Sequence, residues 1–248
     1  MKVTIPYEVY KGTADGSSLT EDRRRQILTV YQYVMSCGDI TMTYRELQEA
    51  MDAQKVGISK SAIRTFFPVL NKLGFVSYKD TFSANELFTK IGKVYMETYI
   101  SQKAAENLYP QNELLNKEIE TCLAIIQRYG ILTMNKKEEF QDHGIWLAIG
   151  LLKNESEIYW NEFLYFLYLL RVKGLSLKEA IDVVKVNRVK GIAYDYYNKD
   201  GQVIAGTSYS YTHALLLEAG IITDLEVNHS VLNDGMYNFL ETIINHYE

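Results

Sequence analysis

The chain has 248 residues, 47% of them hydrophobic and 23% charged, which is enough to bury a full core and too apolar for wholesale disorder. A formal net charge of -5 argues against a generic nucleic-acid coat protein. No apolar run approaches the roughly 18 residues that span a bilayer, and "MKVTIPYEVYKG" lacks the apolar core of a signal peptide, so the expectation is a cytoplasmic protein without a membrane partner.

Cys37 and Cys122 lack metal-ligand spacing and read as reduced core residues. Charge is unevenly placed. Residues 1–109 hold 14 Lys and Arg against 12 Asp and Glu, residues 110–154 hold 5 against 6, and residues 155–248 hold 7 against 13. Only the first part has a basic surplus. With three prolines in the chain, Pro6, Pro68 and Pro110, helices should dominate.

"GTADGSS" (residues 12–18) is a polar loop. A helix follows, with Thr20 as N-cap and apolar Ile27, Val30, Tyr31 and Val34 at helical spacing, and it ends near Gly38. A second helix covers residues 43–51, "AQKVGIS" is a turn, and Ser59 caps a third helix. On a wheel at 100° per residue, Lys60, Ser61, Arg64, Thr65, Pro68, Asn71 and Lys72 share one arc of this helix. Ala62, Ile63, Phe66, Phe67, Val69, Leu70 and Leu73 fill the other. Pro68 should bend the helix from its polar side. Gly74 ends it, "FVSYKD" reads as a strand, "TFSAN" as a turn, "ELFT" as a returning strand, and "KIGKVYMETYISQ" as another helix.

Residues 110–154 read as a helical middle piece, with Leu114, Leu115, Ile119, Leu123 and Ile126 marking a helix that Gly130 ends, and a second helix in "EEFQDHGIWLAIGLL". A third unit begins near Glu155. "EIYWNEFLYFLYLLRVKG" reads as helix, and "SLKEAIDVVKVNRVKG" as a helix with Ser176 and Glu179 in a capping box. "YDYYNKDGQ" reads as a tyrosine-rich loop, and "SYSYTHALLLEAGIITDLEV" as helix, glycine and strand. The pattern apolar-x-x-x-Gly-apolar-apolar occurs at residues 70–76, 126–132 and 216–222. The first and last copies are expected to mark winged-helix units.

The fold expected is therefore mainly α with small β wings. It comprises tandem winged helix-turn-helix units over residues 1–109 and 155–248, joined by a helical linker at 110–154.

Chemistry is sparse. There is no Asp-x-Lys or Glu-x-Lys tripeptide of the kind that metal-dependent nucleases use, no HxxxH pair among the four histidines, no Walker loop, no GxGxxG and no GxSxG. "NHSVLN" (residues 228–233) is only a faint echo of a His-Asn nuclease site. No cofactor, metal site or catalytic residue is expected, and the chain reads as a non-enzyme. Major-groove reading instead needs donors on the first turns of an exposed helix face, which Ser59, Lys60, Ser61 and Arg64 provide, with Arg64 the best candidate for a bidentate contact to guanine. Tyr44 and Arg45 open the preceding helix and suit phosphates, as does Lys79 in the wing. "KVNRVK" places Lys185, Arg188 and Lys190 as a basic island in the acidic part, suited to meeting phosphates and equally to neutralising its own neighbours.

The stretches "TYRELQEAM", "SKSAIRTFFPVLNKLGFVSYKD" and "ELFTKIGKVYMETY" together resemble the N-terminal winged helix in the recognition region of type IIS restriction endonucleases and related nicking endonucleases. "IYWNEFLYFLYLL", "SLKEAIDVVKVNRVKG" and "YSYTHALLLEAGIIT" resemble their later recognition subdomain. The resemblance implies a multi-subdomain module that reads a short asymmetric duplex site through Lys60, Ser61 and Arg64, with Arg188 as a further contact. Those enzymes continue into a nuclease domain, and here the sequence stops at Glu248. The expectation is a recognition protein whose cleavage chemistry comes from a separate nuclease subunit or a phage-defence or mobile-element partner. A winged-helix scaffold for protein assembly and a transcriptional regulator are the alternatives.

Overall fold

The computed structural model describes residues 2–5, 17–54, 58–77, 79–135, 144–197, 200–204 and 209–244. It is mainly helical with small sheets, as the composition and periodicity predict. Two compact units divide it, Gly16–Lys136 and Met1–Asp15 with Lys137–Glu248. The first holds 15 Lys and Arg against 13 Asp and Glu, the second 11 against 18. The expected boundaries at 109 and 154 differ from this division. The helical piece between them is not a body of its own, because its two helices pack into different units. The first strand, β1 (Lys2–Ile5), belongs to the second unit.

In the first unit, α1 (Glu21–Cys37) buries the four residues that its spacing singles out: Ile27, Val30, Tyr31 and Val34. β2 (Thr41–Thr43) leads directly into α2 (Tyr44–Ala53), where the Thr43 hydroxyl accepts the Glu46 N–H and the Glu46 carboxylate accepts the Thr43 N–H. α3 (Lys60–Lys72) follows, with Ser59 Oγ accepting the Ala62 N–H at 3.2 Å. Ile63, Phe66, Phe67, Val69 and Leu70 are all buried, so the apolar arc of the wheel is the core face. The helix continues through Pro68 rather than ending there. Gly74, at φ +74°, closes it in the left-handed region, where a side chain is strained.

The segment after Gly74 departs from a simple hairpin. The expected strand from residue 75 reduces to a bridge between Val76 and Phe88, with the Ser77 N–H donating to the Leu87 carbonyl and the Thr89 N–H to the Phe75 carbonyl. Tyr78 lies outside the described residues. The expected turn at Thr81 is instead strand β3 (Thr81–Ser83), which pairs antiparallel with β2 and sets Met42 opposite Phe82. A single 3₁₀ turn (Ala84–Glu86) follows. Reading these residues for turn propensity missed β3 because its partner lies some forty residues earlier.

α4 (Lys90–Leu108) starts on the α3 turn itself. The Thr89 hydroxyl caps Gly92 and donates to the Gly74 carbonyl at 2.6 Å. α5 (Glu113–Asn135) packs along α4 and runs through Gly130, which the sequence reading takes as its end. A Cβ at Gly130 would lie 3.0 Å from the Leu73 carbonyl oxygen and 3.1 Å from the Phe75 ring, so this glycine lets α5 approach the α3 turn.

The second unit repeats the plan with an insertion. α6 (Gly144–Glu155) precedes β4 (Glu157–Tyr159), which leads directly into α7 (Trp160–Arg171), and residues 138–143 of the expected helix lie outside the described residues. α8 (Leu177–Val189) carries the expected Ser176–Glu179 capping box. The tyrosine-rich stretch is in fact strand β5 (Ala193–Tyr197), paired in parallel with β1 and antiparallel with β6 (Val203–Ile204). Then come α9 (Ser210–Glu218), Gly220 at φ +64°, and the hairpin β7 (Ile222–Glu226) and β8 (His229–Leu232). β8 pairs antiparallel with β4, giving the order β4-β8-β7, and α10 (Met236–Ile244) closes the unit.

Both units thus place a helix, a short strand, a helix begun by an aromatic residue, a later helix ended by a left-handed glycine, and a later strand that pairs antiparallel with the short strand; among the described residues only the second unit completes a hairpin there.

The α3–α4 junction gives a direct stability test. In Gly92→Ala the new methyl carbon would stand 1.9 Å from the Phe75 carbonyl oxygen, so backbone must move. The variant should lose about 3 kcal/mol from the first unit, read as a fall of roughly 10 °C in its thermal transition.

Candidate nucleic-acid interface

The core arc of α3 decides where its polar side chains go. Ser59, Ser61 and Arg64 are exposed and Lys60 is half-exposed, all on the first turns. Among the described residues, neither Lys60 nor Arg64 has a hydrogen-bonding, ion-pair or ring partner. Ser59 Oγ is 2.8 Å from Ser61 Oγ while it caps Ala62, so the Ser59 hydroxyl is engaged in holding the helix start.

The structure also brings Tyr44, Arg45 and Lys79 together. With Thr43 and Asp80 they line one open groove where the α2 start meets the loop before β3. The Tyr44 ring packs on Phe67 of α3 with centroids 5.4 Å apart, which fixes the α2 start against the core face of α3. Arg45 makes a 3.0 Å ion pair with Glu49 on its own exposed helix face, an interaction worth a few tenths of a kcal/mol and easily exchanged for another anion. Arg23 and Arg25 at the start of α1 are engaged locally: Arg23 donates to Gln26 and lies over the Phe66 ring, and Arg25 pairs with Glu21.

The basic island of the second unit is different. Lys185 pairs with Glu155 at 2.8 Å, and Lys190 is the exposed C-cap of α8. Arg188 donates to Glu157 at 2.8 Å and to Glu162 at 3.0 Å, and its guanidinium stands 4.0 Å from the Tyr159 ring centroid. Burial alone would lower its pKa, yet the Glu162 hydrogen bonds and the Glu162 and Glu157 charges hold it above the ordinary arginine value. His229 stacks on Tyr159 and meets the same Glu157 at 3.1 Å. Arg188 therefore neutralises carboxylates at the β4–α7 corner, one of the two roles open to the basic island. The missing signal was the Glu157 and Glu162 spacing, which presents both carboxylates at one end of α7.

A second polar network lies behind the β7–β8 hairpin. Trp160 Nε1 donates to Ser230 Oγ at 2.7 Å, Ser230 Oγ donates to Asp224 Oδ1 at 2.6 Å, and His213 Nε2 is 2.8 Å from the same oxygen. These are the residue types of a hydrolase triad, but the carboxylate stands between Ser and His, so the imidazole cannot take the hydroxyl proton. Burial alone would raise the Asp224 pKa, but the His213 and Ser230 hydrogen bonds hold it below the usual carboxylate value. In "NHSVLN", His229 and Asn233 are likewise engaged in the sheet and its flanking turn.

The tyrosines are mostly structural. Tyr194 stacks on Tyr165, Tyr196 donates to the Asn161 carbonyl, and Tyr209 stacks on Trp160. Cys37 is half-buried and Cys122 exposed, so neither is the core residue expected. Among the described residues no group of three or more His, Cys, Asp or Glu side chains is placed to hold a metal ion, and no helix is long and apolar enough to cross a membrane.

Comparison with protein-family models, with curated proteins and with solved structures gives no match.

The contrast between the two arginines is measurable. Arg188→Ala leaves Glu162, whose side chain is only 9% exposed, without its countercharge, and should destabilise the second unit by ~2 kcal/mol. Arg64→Ala, with no partner to lose among the described residues, should shift the first unit's unfolding by less than about 0.5 kcal/mol. Denaturant unfolding of both variants checks the pair. Lowering the pH should also weaken the β7–β8 hairpin. Asp224 has a depressed folded pKa, so its contribution is present above the unfolded value of about 3.9 and lost as pH falls through the folded one. Asp224→Asn should flatten that acid-side slope in hydrogen exchange of the hairpin amides.

Proposed function

We propose that the protein recognises double-stranded DNA in a sequence-specific way, with α3 as the reading helix of a winged helix-turn-helix unit. One observation carries the reading: Arg64 and Lys60 stand on the first turns of a helix whose other face is locked in the core, with no described partner for either cation. A desolvated bidentate contact from Arg64 to guanine then breaks no ion pair among the described residues. The groove lined by Tyr44, Arg45 and Lys79 suits a backbone phosphate beside it, which would set the register without reading sequence. The basic surplus of this unit within an acidic chain points the same way.

The repeated order of elements supports reading both units as winged helices. The α9 position, equivalent to α3, favours a different role for the second unit. Its exposed residues are Ser210, Tyr211 and Leu217, without a cation, and the hairpin beside it exposes Leu225, Glu226 and Val227. On this reading the second unit holds a protein, and the chain is the non-catalytic recognition component of a restriction-like, phage-defence or mobile-element system, with a nuclease as partner. The type IIS resemblance supports the recognition role of the chain, though not the protein-holding role of the second unit. A scaffold that never meets DNA, or a transcriptional regulator, uses the same fold.

Duplex binding over a salt series tests the proposal. Arg64→Ala should weaken specific binding by about 1–3 kcal/mol, some 5- to 150-fold, while Lys79→Ala should weaken all sequences alike and reduce the salt slope by about one. Equal binding by wild type and Arg64→Ala at every salt concentration would remove α3 as the reader.

A further inference from the structure

α5 has two apolar faces, one buried and one only partly covered. Leu123, Gln127, Ile131 and Met134 are buried toward the rest of the first unit. Leu115, Ile119, Cys122, Ile126 and Tyr129 form a second stripe on the outer side, at the alternating four- and three-residue spacing of a coiled-coil seam. Cys122 and Tyr129 are exposed and the other three half-exposed. Leu114 and Ile125 lie beside them, 69% and 52% exposed. Lys93, Val94, Glu97, Thr98 and Ser101 of α4 widen the stripe into a hollow shared with Ile119 and Cys122.

We propose that this face is the interface of a homodimer, in which α5 packs against α5 of a second copy. Two observations select a second copy over another occupant. The first is area. At their exposures Leu114, Ile125, Tyr129 and Val94 leave on the order of 400 Å² of mostly apolar surface in water, and Leu115, Ile119 and Ile126 add to it. That is close to the apolar share, about 500 Å², of the ~800 Å² that each partner buries in a stable complex. The second is charge. Lys93 and Glu97 of α4 border the hollow, so its charged edge sums to zero and presents both signs. Such a rim does not repel its own copy, and it offers nothing to select a strongly basic or acidic partner. The inference is independent of the DNA-binding reading, since α3 and its cations take no part in it.

The seam also provides its own probe. Cys122 is the middle residue of the stripe, seven residues from both Leu115 and Tyr129. A two-fold axis through the middle of the seam brings it beside its counterpart.

Sedimentation of the full chain between about 1 and 100 µM should show a mass approaching twice 28.6 kDa as concentration rises. The double variant Ile125→Glu, Tyr129→Glu should raise the dissociation constant at least about tenfold while its circular dichroism stays unchanged and its melting matches wild type at concentrations where both are monomeric, because both side chains are half in water already. A short bismaleimide should join two chains of Cys37→Ser and leave Cys122→Ser single. A single-chain mass at every concentration would overturn the proposal. So would association that the double variant leaves intact, absence of the Cys122-linked product, or a seam that pairs only with a helix of another protein.

Discussion

The first unit depends on the burial of one arc of α3. Six large side chains, Ile63, Phe66, Phe67, Val69, Leu70 and Leu73, enter the core together, each contributing roughly 1.5–3 kcal/mol by leaving water. No other rotation of the helix satisfies them. The opposite arc is therefore held toward solvent, and Lys60, Ser61 and Arg64 inherit their direction from the phenylalanines on the buried arc. Gly74, Thr89 and Gly92 then lock the end of the same helix by close backbone approach, so its axis is fixed as well as its rotation.

The two units show how one order of elements supports different surfaces. In each, the short strand delivers an aromatic residue to the start of the next helix: Tyr44 packs on Phe67, and Trp160 packs on Tyr209 and His213. In the first unit the polar groups beside Tyr44 make local bonds at the start of their own helix and along it, Thr43 with Glu46 and Arg45 with Glu49. In the second they are tied into closed networks, Arg188 with Glu157 and Glu162, and Asp224 with His213 and Ser230. A cation bound to two carboxylates has its charge satisfied before any ligand arrives, and this separates Arg188 from Arg64 although both read as basic residues on helices.

Local signals in the sequence carried far. The spacing of Ile27, Val30, Tyr31 and Val34, the caps at Ser59 and Ser176, and the wheel of α3 all rest on neighbours within a turn or two, and these agree with the structure, whereas the Thr20 hydroxyl makes no capping hydrogen bond at the start of α1. What depends on distant partners was not legible. β3 exists because β2 lies beside it, and β5 because the first residues of the chain pair with it, so "TFS" and "AYDYY" looked like turn and loop in isolation. Gly130 looked like a helix end because its reason, the nearby Leu73 carbonyl, is tertiary. For the candidate site, α3 identified Lys60 and Arg64, but the engagement of Arg188 needed Glu157 and Glu162 to be placed in space.

The central claim is that the first turns of α3 read base edges. Selection of bound duplexes from a random pool, run in parallel with wild type and Arg64→Ala, tests it most directly. The account predicts a sharp motif for wild type that contains a guanine whose preference disappears in the variant while the flanking positions persist. No enrichment by the wild type, or an identical motif from both proteins, would contradict it.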